Sequence, residues 1–451
     1  MRALYSRSIV RHACVPVAAA MCLLGAVHAN AVTTIEFWHS MNGSLNDKVN
    51  QIAADFNKSQ SEYQVKPVYR GEYSESMTSA IAAFRAHKAP TIVQIFEVGT
   101  ASMMAAKGAI EPVYELMEKS SEPFDPNAFL PAVTGYYSTP DNKMLSLPFN
   151  SSTPVLYINR SAFEKAGIKQ VPATWEEMGD ALQKVVSSKA ASCGMTSTWP
   201  SWIMIENFTA RHNLPFASNA NGFKGTDTQL EFNEPEVVNQ VQRLADWSKD
   251  NRFRYGGRAD KAMSLFYSGQ CAVVAASSAS LANVRDNAKN FDYEVAQLPY
   301  SSTVLKDKHM DKPLNSIIGG ASLWVMAGQS EEKQKAAAAF FHYLSSPKVQ
   351  ADWHQFSGYL PITTAAYMQT RESGFYDKNP GTDVAIKQLT SGTPTDNSRG
   401  LRLGNMAQIR DVIEEELEKV FNGQETPKQG LDNAVTRGNQ LLKRFQAATR
   451  S

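Results

Sequence analysis

The stretch Leu-Pro-Phe-Asn-Ser-Ser-Thr-Pro-Val-Leu-Tyr-Ile-Asn-Arg, residues 147–160, constrains the fold more than any other part of this chain. Pro148 and Pro154 bracket the polar residues Asn150 to Thr153, which biases the backbone there toward extended conformations and blocks a continuing helix. Val155 to Ile158 then form an apolar, β-prone run that reads as a buried strand. Small hydroxyl side chains placed just before a buried strand describe a segment that crosses between two packed units along the lining of a cleft. A chain of 451 residues agrees, since a single core of that size would be unusually large.

The hydrophobic fraction of 43% and the charged fraction of 20% are those of a globular protein. At the N-terminus, Arg2, Arg7 and Arg11 precede an apolar run from Ala13 to Val27, followed by the small-residue pattern Val27-His-Ala29 or Ala29-Asn-Ala31. This is the pattern of a cleaved signal peptide over residues 1–31, and no other stretch is long and apolar enough to span a membrane. The mature chain carries 42 basic and 44 acidic residues, a formal charge of −2. That balance argues against a general nucleic-acid or membrane surface, so an anionic ligand would need a local positive site. After cleavage Cys193 and Cys271 are the cysteines that remain, either as one disulfide or as two buried thiols. No CxxC or Cys/His spacing supports a metal, and no cofactor motif is present.

Strands and helices alternate through the first part of the chain, which predicts an α/β lobe. Strands are expected at residues 32–38, 63–69 and 91–96, with helices after the first two. Tyr73 follows the second strand and Glu97 the third, at the carboxyl ends outside which ligands sit in such lobes. For Glu97 alone, a solvated loop carboxylate is the competing reading. Trp199 and Trp202, three apart in a Pro/Ser setting, suit a rigid aromatic wall for the CH face of a polyol, with core burial as the alternative. Ser277 opens a serine cluster at a helix start, which suits either an anion or plain N-capping. Gly319-Gly320 precedes the buried strand ending near Val325 and permits close backbone approach, or a bulge. Arg410 sits in the first turn of an amphipathic helix. A cation there opposes the helix dipole, which favours an anion-binding role over simple pairing with Glu414.

Several longer stretches resemble one family. Thr33-Thr-Ile-Glu-Phe-Trp-His-Ser-Met41, Phe96-Glu-Val-Gly-Thr100, Pro148-Phe-Asn-Ser-Ser-Thr-Pro-Val-Leu156, Ile317-Ile-Gly-Gly-Ala-Ser-Leu-Trp-Val-Met326, Gly358-Tyr-Leu-Pro-Ile-Thr363 and Gly400-Leu-Arg-Leu-Gly-Asn-Met406 are similar to the glycerol-3-phosphate-binding proteins of bacterial ABC importers. These are maltose-binding-protein-like members of the extracellular solute-binding proteins. The resemblance implies a periplasmic-binding-protein-like α/β fold, two lobes joined by a hinge of three crossing segments with the ligand between them. The lobes would comprise residues 32–147 with 296–345, and 148–295 with 346–451. It implies a periplasmic, monomeric, non-enzymatic protein that takes sn-glycerol-3-phosphate, and glycerophosphodiesters such as glycerophosphocholine, for delivery to a membrane permease and its ATPase. Carried over position by position, the ligand set is Tyr73, Glu97, Ser152, Trp199, Trp202, Ser277, Gly320, Tyr359 and Arg410. Arg410, Ser152, Ser277, Tyr359 and the Gly320 amide would hold the phosphate, and Glu97 the glycerol hydroxyls at the other end. Two positions depart from the family: Phe96 in place of Tyr, and Ala407 in place of Pro.

A receptor for neutral oligosaccharides would share the tryptophan wall and Glu97 but has no use for a buried arginine with serine donors. A secreted phosphodiesterase would need a metal cluster or an activated nucleophile, and the sequence has no HExxH, GxSxG or Gly-rich phosphate loop.

Overall fold

The computed structural model describes residues 32–106, 108–139 and 141–450, the last without its side chain. The expected signal peptide lies outside the described residues. Among the described residues, ten strands form two sheets. The first sheet contains β1 (Thr33–His39), β2 (Tyr63–Tyr69), β3 (Ile92–Phe96), β4 (Ile110–Glu111), β5 (Leu147–Ser152) and β10 (Gly319–Met326). Its order is β2-β1-β3-β10-β4, with β5 also paired to β10. β1 runs parallel to β2 and β3, and β10 antiparallel to β3. The second sheet, in the order β7-β8-β6-β9, contains β6 (Pro154–Asn159), β7 (Cys193–Ser197), β8 (Cys271–Ser277) and β9 (Tyr293–Ala296). The fold is two α/β lobes.

Local sequence explains the elements. The helix Gly43–Ser59 buries Leu45, Val49, Ile52, Ala53 and Phe56, the face its periodicity predicts. The helix Trp175–Ser187 opens on a capping box. The Thr174 hydroxyl accepts from the Glu177 amide at 3.2 Å, and the Glu177 carboxylate accepts from the Thr174 amide at 3.1 Å. Cys193 and Cys271 lie opposite each other in the β7–β8 ladder and form a disulfide.

The bracketed stretch does cross between the sheets, at one residue. β5 ends at Ser152, β6 begins at Pro154, and they belong to different sheets. The expected break between residues 147 and 148 therefore gives way to a crossing at Thr153, because residues 148–152 pair with β10. Pro148, which has no N–H to donate, sits on this edge strand beside a register shift at Ala321/Ser322. β9 pairs with β6 in the second sheet, so the chain is still in the second sheet at residue 296. The return follows, over residues 297–318. One side-chain and two backbone hydrogen bonds knot the crossings together. The Thr153 hydroxyl donates to Ser316 Oγ at 2.5 Å, the Ser278 amide to the Thr153 carbonyl at 2.9 Å, and the Leu360 amide to the Ser151 carbonyl at 2.8 Å.

Candidate ligand-binding site

Residues flanking these crossings border a cleft, and all nine residues expected at a ligand site line it: Tyr73, Glu97, Ser152, Trp199, Trp202, Ser277, Gly320, Tyr359 and Arg410. Most arrive from a strand end or a helix start, where backbone polar groups and side chains face open space rather than a ladder, and Tyr359 follows the end of the helix Pro347–Ser357.

Arg410 is the one cation in this lining, and its helix, Met406–Phe421, buries it. Its guanidinium is held by two carboxylates. Nε and Nη2 donate to Glu206 at 2.8 and 2.7 Å, and Nη2 lies 2.7 Å from Glu97 Oε1. Glu414, the helical i+4 neighbour, makes no ion pair with Arg410 among the described residues. The sequence reading did not single out Glu206. It sits at the end of a π-helical turn, Ser201–Glu206, and also accepts from the Ser201 hydroxyl at 3.0 Å. Its signal was a lone carboxylate inside the apolar run Trp202 to Phe208, where full burial demands a cationic partner.

The expected separation of Glu97 from the phosphate-binding arginine is not what the structure has, since the two are in direct contact. A buried guanidinium needs neutralising, and carboxylates from both lobes supply it. Burial raises the Glu97 carboxyl above its ordinary value; the Arg410 charge opposes the shift and Glu206 adds to it. Burial alone would lower Arg410, but Glu206 and Glu97 hold it strongly protonated. Arg410 Nη1 makes no hydrogen bond among the described residues, so this edge of the fork is open to a ligand.

A polar network supports the floor. The Ser40 amide donates to Gln94 Oε1 at 2.7 Å, Gln94 Nε2 to Asn150 Oδ1 at 2.8 Å, and Asn150 Nδ2 to the Tyr73 hydroxyl at 2.8 Å. Tyr73 stacks on Phe96 with centroids 5.4 Å apart, so the Phe at this departure from the family pattern serves as a packing surface. Tyr359 stacks on Trp353, which stacks on Phe149, and burial raises its hydroxyl to about 12. Ser152 has no side-chain partner among the described residues. The Ser277 hydroxyl accepts from the Ala279 amide at 3.2 Å, the capping reading, while still bordering the cleft.

The two tryptophans differ. Trp202 is buried against Gly319, and its indole N–H has no partner among the described residues. Trp199 is half-exposed with φ of +41°, a left-handed conformation rarely taken by a bulky residue and one associated with functional sites. Its Nε1 donates to Asp260 Oδ1 at 2.9 Å. Asp260 and Glu72 also line the cleft, and neither had been singled out in the sequence. Desolvation raises both carboxyls, opposed at Asp260 by the Trp199 bond, and at Glu72 the shift is reinforced by the charge of Asp260. Two exposed carboxylates thus border the cleft beside an aromatic face.

Glu414, one turn beyond Arg410, is pushed up to about 7 from an ordinary 4.5, first by burial, with Arg410 and Arg258 opposing. Between those values the folded chain keeps a proton that the unfolded chain releases, so stability falls as pH rises through that window. Glu414→Gln is therefore expected to stabilise the protein at pH 8 by up to about 3 kcal/mol and to change little near pH 4, as read by urea unfolding at the two pH values.

The chain is similar to known proteins along nearly its whole length. The family model for bacterial extracellular solute-binding proteins matches residues 51–382. The sn-glycerol-3-phosphate-binding periplasmic protein UgpB of Salmonella typhimurium is 49% identical over 445 residues, covering 98% of this chain and 99% of the relative. The UgpB of Escherichia coli O1:K1 is 50% identical over 429 residues, covering 94% and 96%. Among solved structures, UgpB from Mycobacterium tuberculosis in complex with glycerophosphocholine superposes with a TM-score of 0.77 at 21% identity, covering 92% of this chain and 99% of that one. The GacH receptor of Streptomyces glaucescens, solved unliganded and with acarbose, superposes at 0.75 with 19% identity, covering 92% and 100%. These likenesses extend over both lobes and all the crossings between them, and on them the chain belongs to the bacterial extracellular solute-binding protein family.

Proposed function

We propose that this chain is the substrate-binding subunit of an ABC importer, a monomeric binder rather than an enzyme. It captures glycerol phosphate headgroups in the periplasm after cleavage of its signal peptide and hands them to a membrane permease and its ATPase, with no role for nucleic acid. The observation that carries the reading is Arg410, among the described residues the one cation in the cleft lining, buried and with no hydrogen bond at its Nη1 edge. A phosphate oxygen meeting Nη1, with the Ser152 hydroxyl, Ser277 and the Gly320 amide beside it, makes charge-assisted hydrogen bonds in a partly desolvated setting. Tyr359 serves the same end, and Tyr73 and Glu97 reach the glycerol hydroxyls. Trp199 and Trp202 cover the carbons. Binding of this kind closes the lobes, because the groups come from both sheets.

Asp260, Glu72 and the Trp199 face favour the choline diester as a ligand alongside the simple monoester. A quaternary ammonium offers no hydrogen bonds and is held by aromatic faces and nearby negative charge. The test is selectivity. Asp260→Asn is expected to weaken glycerophosphocholine binding at least ~fivefold while leaving sn-glycerol-3-phosphate within about twofold. An unchanged ratio would remove the choline assignment, and a wild-type protein that binds neither would remove the headgroup reading. A neutral oligosaccharide is the second reading, favoured by one observation: Glu97 and Glu206 already neutralise Arg410.

A further inference from the structure

Residues 315–320 border two cavities. Gly319 and Gly320 face the ligand cleft, while Asn315 to Ile318 border a second cavity of about 380 Å³. This second cavity is also lined by Lys224, Arg399, Arg402 and Phe223, and by residues of the helix Pro131–Tyr137 that packs on β5. It contains no residue of the cleft lining.

Its charge is unbalanced. Lys224 Nζ lies 2.6 Å from Asp396, and Arg399 lies 3.4 Å from the same carboxylate. Arg402 has no carboxylate partner among the described residues; its Nη2 donates to the carbonyls of Gly135 and Tyr136 at 3.0 and 2.9 Å. Its Nε is buried without a hydrogen-bond partner among the described residues. The guanidiniums of Arg402 and Arg399 both sit on the ring of Phe223, 4.3 and 5.5 Å from its centroid. Burial lowers Arg402 to about 10, and Arg399 beside it adds to the shift. Like charges gathered around one half-buried ring repel each other, and a small anion bridging them would remove that repulsion. Neither the cleft nor its ligand accounts for this cluster.

We propose that this cavity is a second, separate binding site for a small phosphate-class oxyanion, held by Lys224, Arg399 and Arg402 beside the crossing segment. Forked guanidiniums and an ammonium are the donors that such an oxyanion selects. The site differs from the cleft, where carboxylates outnumber the single cation.

The probe is inorganic phosphate, titrated calorimetrically into the mature protein at low ionic strength. Wild type is expected to show saturable binding, and Lys224→Gln/Arg399→Gln, both exposed positions, to weaken it at least ~tenfold with an unchanged melting temperature. Arg410→Lys, which alters the cleft alone, is expected to leave phosphate binding at this site within about twofold. Lys224→Gln by itself is expected to give an intermediate loss. Absence of saturable binding in the wild type would overturn the proposal. So would loss in Arg410→Lys with full retention in the double variant, which would place the anion in the cleft.

Discussion

Arg410→Ala is expected to abolish ligand capture and to lower the stability of the folded chain by about 3–5 kcal/mol. The two effects share one cause. Removing the guanidinium leaves Glu97 and Glu206 buried, facing each other, with nothing to balance them. It also deletes the donor edge offered to the ligand. Arg410→Lys separates these roles, because lysine keeps a charge but cannot reproduce the fork that spans both oxygens of Glu206. The lysine variant should retain most of the stability, as read by urea unfolding, while its affinity for sn-glycerol-3-phosphate falls at least ~tenfold. Wild-type affinity in the lysine variant would mean that the ligand does not use the guanidinium.

Gly320→Ala is the second substitution with a large expected effect. The residue has φ of +90°, and a Cβ there would lie 1.8 Å from the backbone carbonyl oxygen of Asn150. That oxygen belongs to β5, which pairs with β10 at this point, so no flexible side chain can yield. The strands must separate where they carry Ser152 and the Asn150 amide that positions Tyr73. A loss of at least about 3 kcal/mol in stability is expected, with weaker ligand binding in whatever folds. Gly328 supplies the control. It has φ of +81° but open space around its Cβ position, so Gly328→Ala should cost only the ~1–2 kcal/mol of left-handed strain. Equal losses at the two glycines would show that the close approach at Gly320 contributes nothing.

Much of this was legible in the sequence because the relevant signals are local. Prolines at 148 and 154 mark the crossing, and the helical spacing of Leu45 to Phe56 marks a buried face. The resemblance of whole motifs carried the nine cleft residues. What stayed hidden were partnerships across the fold. Glu206 lies 204 residues from Arg410 in the chain. It reads locally as one polar residue in an apolar helix, and nothing nearby names its partner. Asp260 likewise reads as an ordinary helix-entry acid, and only the left-handed backbone at Trp199 swings the indole onto it. The exact place of the crossing was missed for a related reason. Whether residues 148–152 end one sheet or begin another depends on β10, which is contributed by a segment more than 160 residues later. The place of Arg410 in the first turn of its helix was readable, but its two counter-ions were not.

The measurement that bears most directly on the central claim is calorimetric titration of the mature protein with sn-glycerol-3-phosphate, glycerophosphocholine and maltose in parallel. The expected result is binding of both glycerol phosphates, each weakened by Arg410→Lys, and no binding of maltose. Binding of maltose alone would contradict it, leaving Arg410 as a buried structural ion pair beneath a sugar-binding cleft.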